Sequence, residues 1–513
     1  MTSTTKRRSF LIQEPYDDDA IRFIEAMFRA FGLRPVCWYR SPKDRFYGEQ
    51  QYAILKSSAI EAAYNVDEAD LEAFARKVAE EYEIVAAIPY REDTVEHVAR
   101  MLPHLPDVDW VDGATLGRFR DKQAMKTFIR RYHPTVRVPA SRSVRTFDDV
   151  FNPNPPDRFV LKPNDGMGST SLGFFTPDNP DGIRAHLDSR PGLLWIMEEF
   201  IDGTEFRVNG QVRRDGTVQP LVVARYLPQQ VTETFTLGYA TEHGVMPSDP
   251  EWDRCIAYTE SIVAATGITG SPFHLEFRID DHGPAMVDFA ARTPSEACGV
   301  NMSWLHPQRP DFFAVACRDY VGPNEFALDP VDTRVAEKRR FMSISGISKQ
   351  EGVITAIAGL EQVERLPEFV SWPVRPALGD QVRVTTDLRG TPYILNLRHD
   401  GDVDRTMELD AMVRSLIRIQ VAEGARDLPS RLRNSVLPRA ARKATWLAHR
   451  LRNDHRRSTA PASRSSATAG GPPHENSGAR RPGPGNGPAR RLEGVEGAGA
   501  GGDRVVELGV GID

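Results

Sequence analysis

The chain has 513 residues, 40% of them hydrophobic, which is enough for roughly three domains with sizeable cores. Its net charge of −6 gives no electrostatic case for nucleic acid, and no run reaches the 18 or more apolar residues of a membrane span. Four widely spaced cysteines (Cys37, Cys255, Cys298, Cys317) without a CxxC argue against a zinc site or a disulfide framework and fit reduced thiols in a cytoplasm.

The N-terminus is basic (Lys6, Arg7, Arg8), but the apolar stretch after it breaks at Gln13-Glu14-Pro15, too short for a signal sequence. Ser9 to Ile12 reads as a buried strand. Ile21, Ile24 and Phe28 follow at helical spacing behind the acidic cap Asp17 to Asp19. Pro35 to Tyr39, Tyr52 to Leu55 and Ile84 to Ile88 are further strands, and Leu71 to Tyr82 a helix. Such alternation predicts a parallel α/β sheet, without the GxGxxG of a dinucleotide site. Asp121 and Lys122 open a helix that runs past Lys126, and Phe159 to Lys162 is a short strand. Strands dominate from about 196 to 320, with a helix at Trp252 to Thr266. Residues 335 to 420 form a mixed segment, with strands near Gly352 to Ile357 and Gln381 to Thr385. A helix is predicted over Leu409 to Val421, with Leu409, Met412, Leu416 and Ile419 on one stripe. Arg431 to Arg457 is a basic stretch that suits a terminal helix. It could touch an anionic surface, but a solvated helix is the stronger reading. From Ser458 onward Gly, Pro, Ser, Ala and Arg dominate, and disorder is expected.

Three segments carry chemistry. The loop Asn164-Asp-Gly166-Met-Gly168-Ser169-Thr-Ser171-Leu-Gly173 follows the strand ending in Lys162. Its glycines let backbone N–H groups approach phosphates, although an ordinary hairpin loop explains it as well. Lys162, inside an apolar run, would need an anionic partner if buried. Next, Trp195 to Phe206 reads strand, polar turn at Asp202-Gly203, strand. Its edge could read a purine and Glu205 could take ribose hydroxyls, but alone it fits a surface hairpin. Third is the hairpin Phe273 to Ile279, turn Asp280 to Gly283, Ala285 to Arg292. Alternation puts His274, Glu276 and Arg278 on one face, and Met286, Asp288, Ala290 and Arg292 on one face of the partner. Glu276 then falls opposite Asp288, with Cβ atoms about 5 Å apart. Like charges so close call for a cation between them, and oxygen ligands suit Mg²⁺. Taken alone, the pair also fits a solvated acidic face.

In this order the motifs resemble the ATP-grasp superfamily, most closely its carboxylate–amine ligases, the group that includes the L-amino acid ligases. The resemblance spans roughly residues 9 to 420 and takes in Arg340-Phe341, Glu351 to Ile357 and Gly359 to Glu361 near the end. It implies an α/β and α+β chain with an N-terminal Rossmann-like pre-ATP-grasp domain (1–115) and an ATP-grasp core (116–330). The core would divide into a small subdomain with a glycine-rich lid (116–195) and a large subdomain with the metal site (196–330). A C-terminal α+β subdomain (331–425), the basic helix (426–457) and the tail (458–513) would follow. The resemblance implies ATP as nucleotide and Mg²⁺ as metal, with Mn²⁺ as an alternative. Lys122 and Lys162 would contact the phosphates, with Gly166, Gly168 and Ser169 closing over them. Glu198 and the Glu199 backbone would face the adenine amino group, with the Ile201 N–H on the ring and Phe200 among the nucleotide-binding residues. Glu205 would hold the ribose, Glu276 and Asp288 two Mg²⁺ ions, and Arg292 the transferring phosphoryl group. Arg292 and Arg340 are candidates for a substrate carboxylate. The usual Glu-x-Asn-x-Arg ending here reads Asp288-Phe289-Ala290-Ala291-Arg292, and Ala290 cannot ligate metal. The expected activity is amide or peptide bond formation through an acyl phosphate, on small carboxylates and amines such as amino acids, with a homodimer compatible. The alternatives are a degenerate ATP-binding protein, or the same fold with another acceptor, as in a carboxylase or a carbamoyl-phosphate-type enzyme.

Overall fold

The computed structural model describes residues 6–13, 18–39, 60–89, 91–166, 171–231, 235–292, 320–321, 340–387 and 390–422. The chain divides into two units, Met1–Thr459 and Ala460–Asp513, and the described residues all belong to the first. The strand expected at Tyr52 to Leu55, the basic stretch, the tail, Gly168 and Ser169 lie outside them.

The first elements are β1 (Arg7–Gln13), α1 (Asp18–Phe31), β2 (Arg34–Tyr39), β3 (Ala62–Asn65), α2 (Leu71–Glu81) and β4 (Tyr82–Ile88). The strands form a parallel sheet in the order β3-β2-β1-β4. Phe10, Leu11 and Ile12 are all fully buried, as expected where helices cover both faces of a parallel sheet.

Next come α3 (Val95–Met101), α4 (Gly113–Gly117), α5 (Lys122–Tyr132), β5 (Ser141–Val144), α6 (Phe147–Phe151), β6 (Phe159–Pro163), β7 (Gly173–Phe175), α7 (Pro180–Asp188) and β8 (Trp195–Glu199). Strands β5 to β8 make a four-stranded antiparallel sheet in the order β5-β8-β6-β7. Residues 195–206 are therefore no simple hairpin. Strand β8 ends in this sheet, and the chain crosses at Asp202-Gly203 into another. Gly203 is required at the crossing, because a Cβ there would lie 2.3 Å from the Ile279 carbonyl oxygen.

The remaining elements are β9 (Thr204–Val212), β10 (Val218–Gln230), β11 (Thr236–Val245), α8 (Trp252–Thr266), β12 (Ser271–Asp280), β13 (Gly283–Ala290), β14 (Arg340–Ser345), β15 (Gly352–Ala358), α9 (Leu360–Glu364), β16 (Phe369–Val374), β17 (Gln381–Val382), β18 (Ile394–His399), α10 (Val403–Leu416) and β19 (Arg418–Ala422). An eight-stranded antiparallel sheet runs β13-β12-β9-β10-β11-β14-β18-β16, so strands after residue 340 extend the sheet that carries the hairpin. The helix expected over Leu409 to Val421 is corrected: α10 runs from Val403 to Leu416, capped by Asp402, and Ile417 is already extended. Ile419 and Val421 sit in β19, paired with β15. Backbone pairing by β-branched residues there outweighs the apparent helical stripe.

One apolar core joins the parallel sheet, α3 to α5, α8 and the strands of the hairpin. Within it the Phe119 ring meets Phe289 edge-on at 5.0 Å, which seats the segment before α5 against β13.

Candidate active site

Helix α5 starts at a stapled corner. The Asp121 side chain accepts from the Ala124 N–H at 2.8 Å and from Asn164 Nδ2 at 3.0 Å, and Asn164 Oδ1 accepts from the Gln123 N–H at 3.0 Å. This ties the helix start to the end of β6. Along α5 the buried side chains are Lys122, Met125, Lys126 and Ile129, an inward stripe at i, i+3, i+4 and i+7. Two lysines on that stripe, with Lys162 from β6, place three ammonium groups below the hairpin.

The hairpin forms in the expected register, Glu276 opposite Asp288, about a turn at Asp280 to Gly283. Arg137 clamps that turn, holding Asp280 through both guanidinium branches (2.6 and 2.8 Å) and the Gly283 carbonyl at 2.8 Å. A bulge follows Glu276, so the ladder slips by one residue at Val287. The Val287 carbonyl accepts from Lys126 Nζ and Lys162 Nζ, each at 3.0 Å.

Each carboxylate here faces charge. Lys122 Nζ donates to Asp288 Oδ1 and Oδ2 at 2.9 and 3.1 Å. Burial alone would raise the Asp288 pKa, but Lys122, Lys162 and Lys126 outweigh it and hold the pKa low. Burial likewise opposes charge on Lys122, yet Asp288 and Glu92 carry its pKa upward. Glu276 Oε1 accepts from the Tyr226 hydroxyl at 2.8 Å and lies 3.2 Å from His274 Nε2, which more than offsets burial and lowers the Glu276 pKa. Glu198 sits between Lys126 (2.6 Å) and Lys162 (2.9 Å), and these two overcome burial to depress its pKa. The resemblance gave Glu198 an adenine amino group; here its two oxygens face lysines. Lys126, 1% exposed, is pushed down to about 8, mainly by burial, with Lys162 adding and Glu198 opposing.

Above this cluster lies a cavity of about 440 Å³, lined by Lys122, Lys162, Gly166, Glu198 to Ile201, Glu205, Glu276, Asp288 and Arg292 among others. Its apolar lining includes Val160, Leu172, Phe174, Phe200 and Met286. Phe200 meets Phe174 edge-on, and Arg158 and Arg278 stack on its ring. The Ile201 carbonyl accepts from Arg278 at 3.2 Å, while its N–H has no acceptor among the described residues. The Glu199 N–H donates to the Ala140 carbonyl at 2.9 Å. Glu205 Oε2 takes Arg278 Nε and Nη2 at 2.9 and 2.7 Å, and Oε1 accepts no hydrogen bond among the described residues. Burial and the nearby Glu276 raise the Glu205 pKa against the pull of Arg278.

Arg292 Nε donates to Glu92 Oε2 at 2.7 Å, joining the hairpin to the turn after β4. Arg340 is not brought to the cavity. Its guanidinium is paired with Asp249 and the Gly244 carbonyl, so it offers no fork to a substrate there.

Comparison with known proteins bears on the fold. Residues 185–301 match the family of ATP-grasp domains. The fold is ATP-grasp. The L-amino acid ligase from Bacillus licheniformis superposes with a TM-score of 0.64 at 17% identity, over 82% of this chain and 100% of that one. Phosphoribosylglycinamide synthetase from Anaerococcus prevotii gives 0.54 at 12% identity, over 81% and 100%. The biotin carboxylase domain of Hydrogenobacter thermophilus 2-oxoglutarate carboxylase, solved with MgADP and bicarbonate, gives 0.54 at 12% identity, over 82% and 91%. None of the curated proteins matches the chain by sequence.

Within the ATP-grasp fold the donor set suits a divalent cation. Among the described residues no group of three or more His, Cys, Asp or Glu side chains is placed to hold a metal. Glu276 and Asp288 are nevertheless adjacent, Glu276 Oε2 makes no hydrogen bond among the described residues, and the neighbourhood would accommodate phosphate oxygens. Ala290 adds no donor. Sequence reasoning missed Lys126, Tyr226, Arg278 and Glu92. Lys126 could have been found by its i+4 spacing from Lys122; no local pattern points to Glu92.

Among the described residues no helix is long and apolar enough to cross a membrane. Cys37 and Cys255 are buried free thiols, and burial pushes Cys255 up to about 12.

Proposed function

We propose that the protein is an ATP-dependent carboxylate–amine ligase, forming an amide or peptide bond through an acyl phosphate and releasing ADP and phosphate. The observation that carries this reading is the buried Lys122, Lys126 and Lys162 cluster beside the Glu276–Asp288 pair, next to a cavity whose lining includes an apolar set, Val160, Leu172, Phe174, Phe200 and Met286.

This apolar set suits a purine, with the Ile201 N–H as ring donor and Glu205 Oε1 for the ribose. Lys122 and Lys162 would hold the phosphates as point charges. A divalent cation on Glu276 and Asp288 would neutralise phosphate charge when bound. Positioning and charge neutralisation supply most of the catalysis in phosphoryl transfer, so a site made of fixed cations suits it. Arg292, fixed by Glu92, would steady the transferring phosphoryl group. The acyl phosphate would have to be kept from water. Amino acids are the proposed substrates, by likeness to the Bacillus licheniformis ligase.

The test is ADP release by the purified protein with MgATP over pools of amino acids, with mass spectrometry of the products. ADP with a new mass equal to two substrates minus water supports the ligase. ADP that depends on bicarbonate would move the reading to a carboxylase, as the fold of the 2-oxoglutarate carboxylase domain allows. ATP binding without ADP in any mixture would favour a degenerate binder, the reading that Ala290 motivates.

A further inference from the structure

The strand register aligns polar side chains along the cavity face of the eight-stranded sheet. Asp288 pairs with Glu276, Glu276 with Arg207, Tyr226 with Glu242, and Glu242 with Ser343, and all six line the cavity. Glu242 is the carboxylate of this row farthest from the hairpin. Its Oε2 accepts from Arg207 Nη2, while Oε1 accepts no hydrogen bond among the described residues. The side chain keeps 16% of its surface, so a ligand in the cavity can reach it. Glu198 and Asp288 are by contrast committed to lysines. Two residues along the same face, Ser345 pairs with Ile394 and Ile394 with Val374. Ile394, Val374 and the adjoining Pro373 give the cavity an apolar wall beside Glu242, and Val374 is 41% exposed there. A carboxylate with an open oxygen next to an apolar wall suits a ligand with a cationic head and an apolar body.

We propose that Glu242 Oε1 binds the ammonium group of the substrate whose carboxylate is phosphorylated, an α-amino acid with an apolar side chain held by Pro373, Val374 and Ile394; this rests on the ligase reading above. Strands β9 and β10 lie between β12 and β11. Three strand spacings and a two-residue offset separate Glu242 from Glu276 by roughly 15 Å at the backbone. An α-amino acid, a phosphoryl group and a cation on Glu276 fill such a gap in series. The substrate would then lie with its amine on Glu242 and its carboxylate towards Glu276. An attacking amine must instead approach the acyl carbon itself, away from Glu242. Glu242 therefore marks the substrate that is activated. Held as an ammonium, that amine has no lone pair with which to attack.

The test gives the full-length protein MgATP and hydroxylamine, so that hydroxamate reports activation of the carboxylate substrate alone. Leucine is the probe, and 4-methylpentanoate, the same skeleton without the ammonium, is its competitor. Glu242→Gln should raise the KM of leucine about tenfold or more, as for loss of one charge-assisted hydrogen bond, and keep the inhibition constant of 4-methylpentanoate within about twofold. Equal rises in both would overturn the proposal and leave Glu242 as the partner of Arg207. An unchanged leucine KM, with a raised KM for the attacking amino acid in dipeptide formation, would overturn it by moving the site to the other substrate. If Glu242→Gln fails to fold, Glu242→Asp decides in the same way, because it keeps the charge and withdraws the oxygen by one methylene. Val374→Trp, at an exposed position, should raise the KM of leucine more than that of alanine; equal effects would remove the apolar wall from the proposal. Hydroxamate from charged amino acids but none from leucine overturns this proposal and leaves the ligase reading standing. No ADP with any amino acid overturns both.

Discussion

At β12 and β13 the eight-stranded sheet carries Glu276 and Asp288 with the lysines that face them; towards its other end, at β11 and β18, it carries His243 and His399. Both are buried polar clusters. In the second, the Thr406 hydroxyl lies 2.7 Å from His243 Nδ1 and 2.7 Å from His399 Nε2, and the Gly401 N–H donates to His399 Nδ1 at 3.1 Å. One hydroxyl proton serves one imidazole and a lone pair serves the other, so the bonds close on the protein, and none of these side chains lines the cavity. The first cluster is different. Glu276 Oε2, Glu205 Oε1 and the Ile201 N–H keep bonding capacity, and all three residues line the cavity. Burial of polar groups alone does not mark a site; unused capacity aimed at a cavity does.

The contrast breaks first on activity. Lys162→Ala and Glu276→Ala should each lower ADP formation by about a thousandfold or more, since each removes charge stabilisation where phosphoryl transfer occurs. Near-normal turnover in either would remove the ligase assignment. Lys122→Met should weaken ATP binding about tenfold to a hundredfold in calorimetry, as expected for one charge-assisted contact. It should also move the acid limb of the activity profile upward, because Asp288 loses the first of the three lysines that keep its pKa low. In the closed cluster, Thr406→Val should cost about 1–3 kcal/mol of stability, by leaving both imidazoles short of a partner, with ADP formation per folded molecule unchanged. A fall in activity without a fall in stability would reverse the contrast.

Much of the open cluster is legible in the chain, for local reasons. Period-two alternation about an Asp/Gly turn sets Glu276 opposite Asp288, and Asp121 before an inward stripe sets the start of α5. What escaped depended on tertiary structure. The bulge that frees the Val287 carbonyl for two lysines breaks the alternation and has no signature in Phe277 or Met286. Glu92 reaches Arg292 across 200 positions of sequence, and nothing near it distinguishes it from a surface acid. The crossing at Gly203 looks like a hairpin turn until the two strands are seen in different sheets. Ile419 satisfies a helical stripe and a strand equally, and only the partner β15 decides between them.

The smallest effect tests the closed cluster by acid. Burial, with Arg340, His399 and Arg225 adding and Asp249 opposing, pushes His243 down to about 4. His399 is lowered too, chiefly by burial. A histidine with a folded pKa below its unfolded value binds fewer protons when folded, so stability is full above about 6.5 and is lost as pH falls towards 4. For His243 alone the loss between pH 7 and 5.5 should be about 1 kcal/mol. Glu198 and Asp288 also have lowered values, but their stabilisation is lost only below the usual carboxylate range, so the two windows separate. Chemical denaturation at pH 7 and 5.5 should show the loss in the parent and a smaller one in His243→Gln, which can still bond Thr406 but does not titrate. An equal loss in both would mean that the acid sensitivity lies elsewhere, and that the His243–Thr406–His399 cluster does not hold its imidazoles neutral.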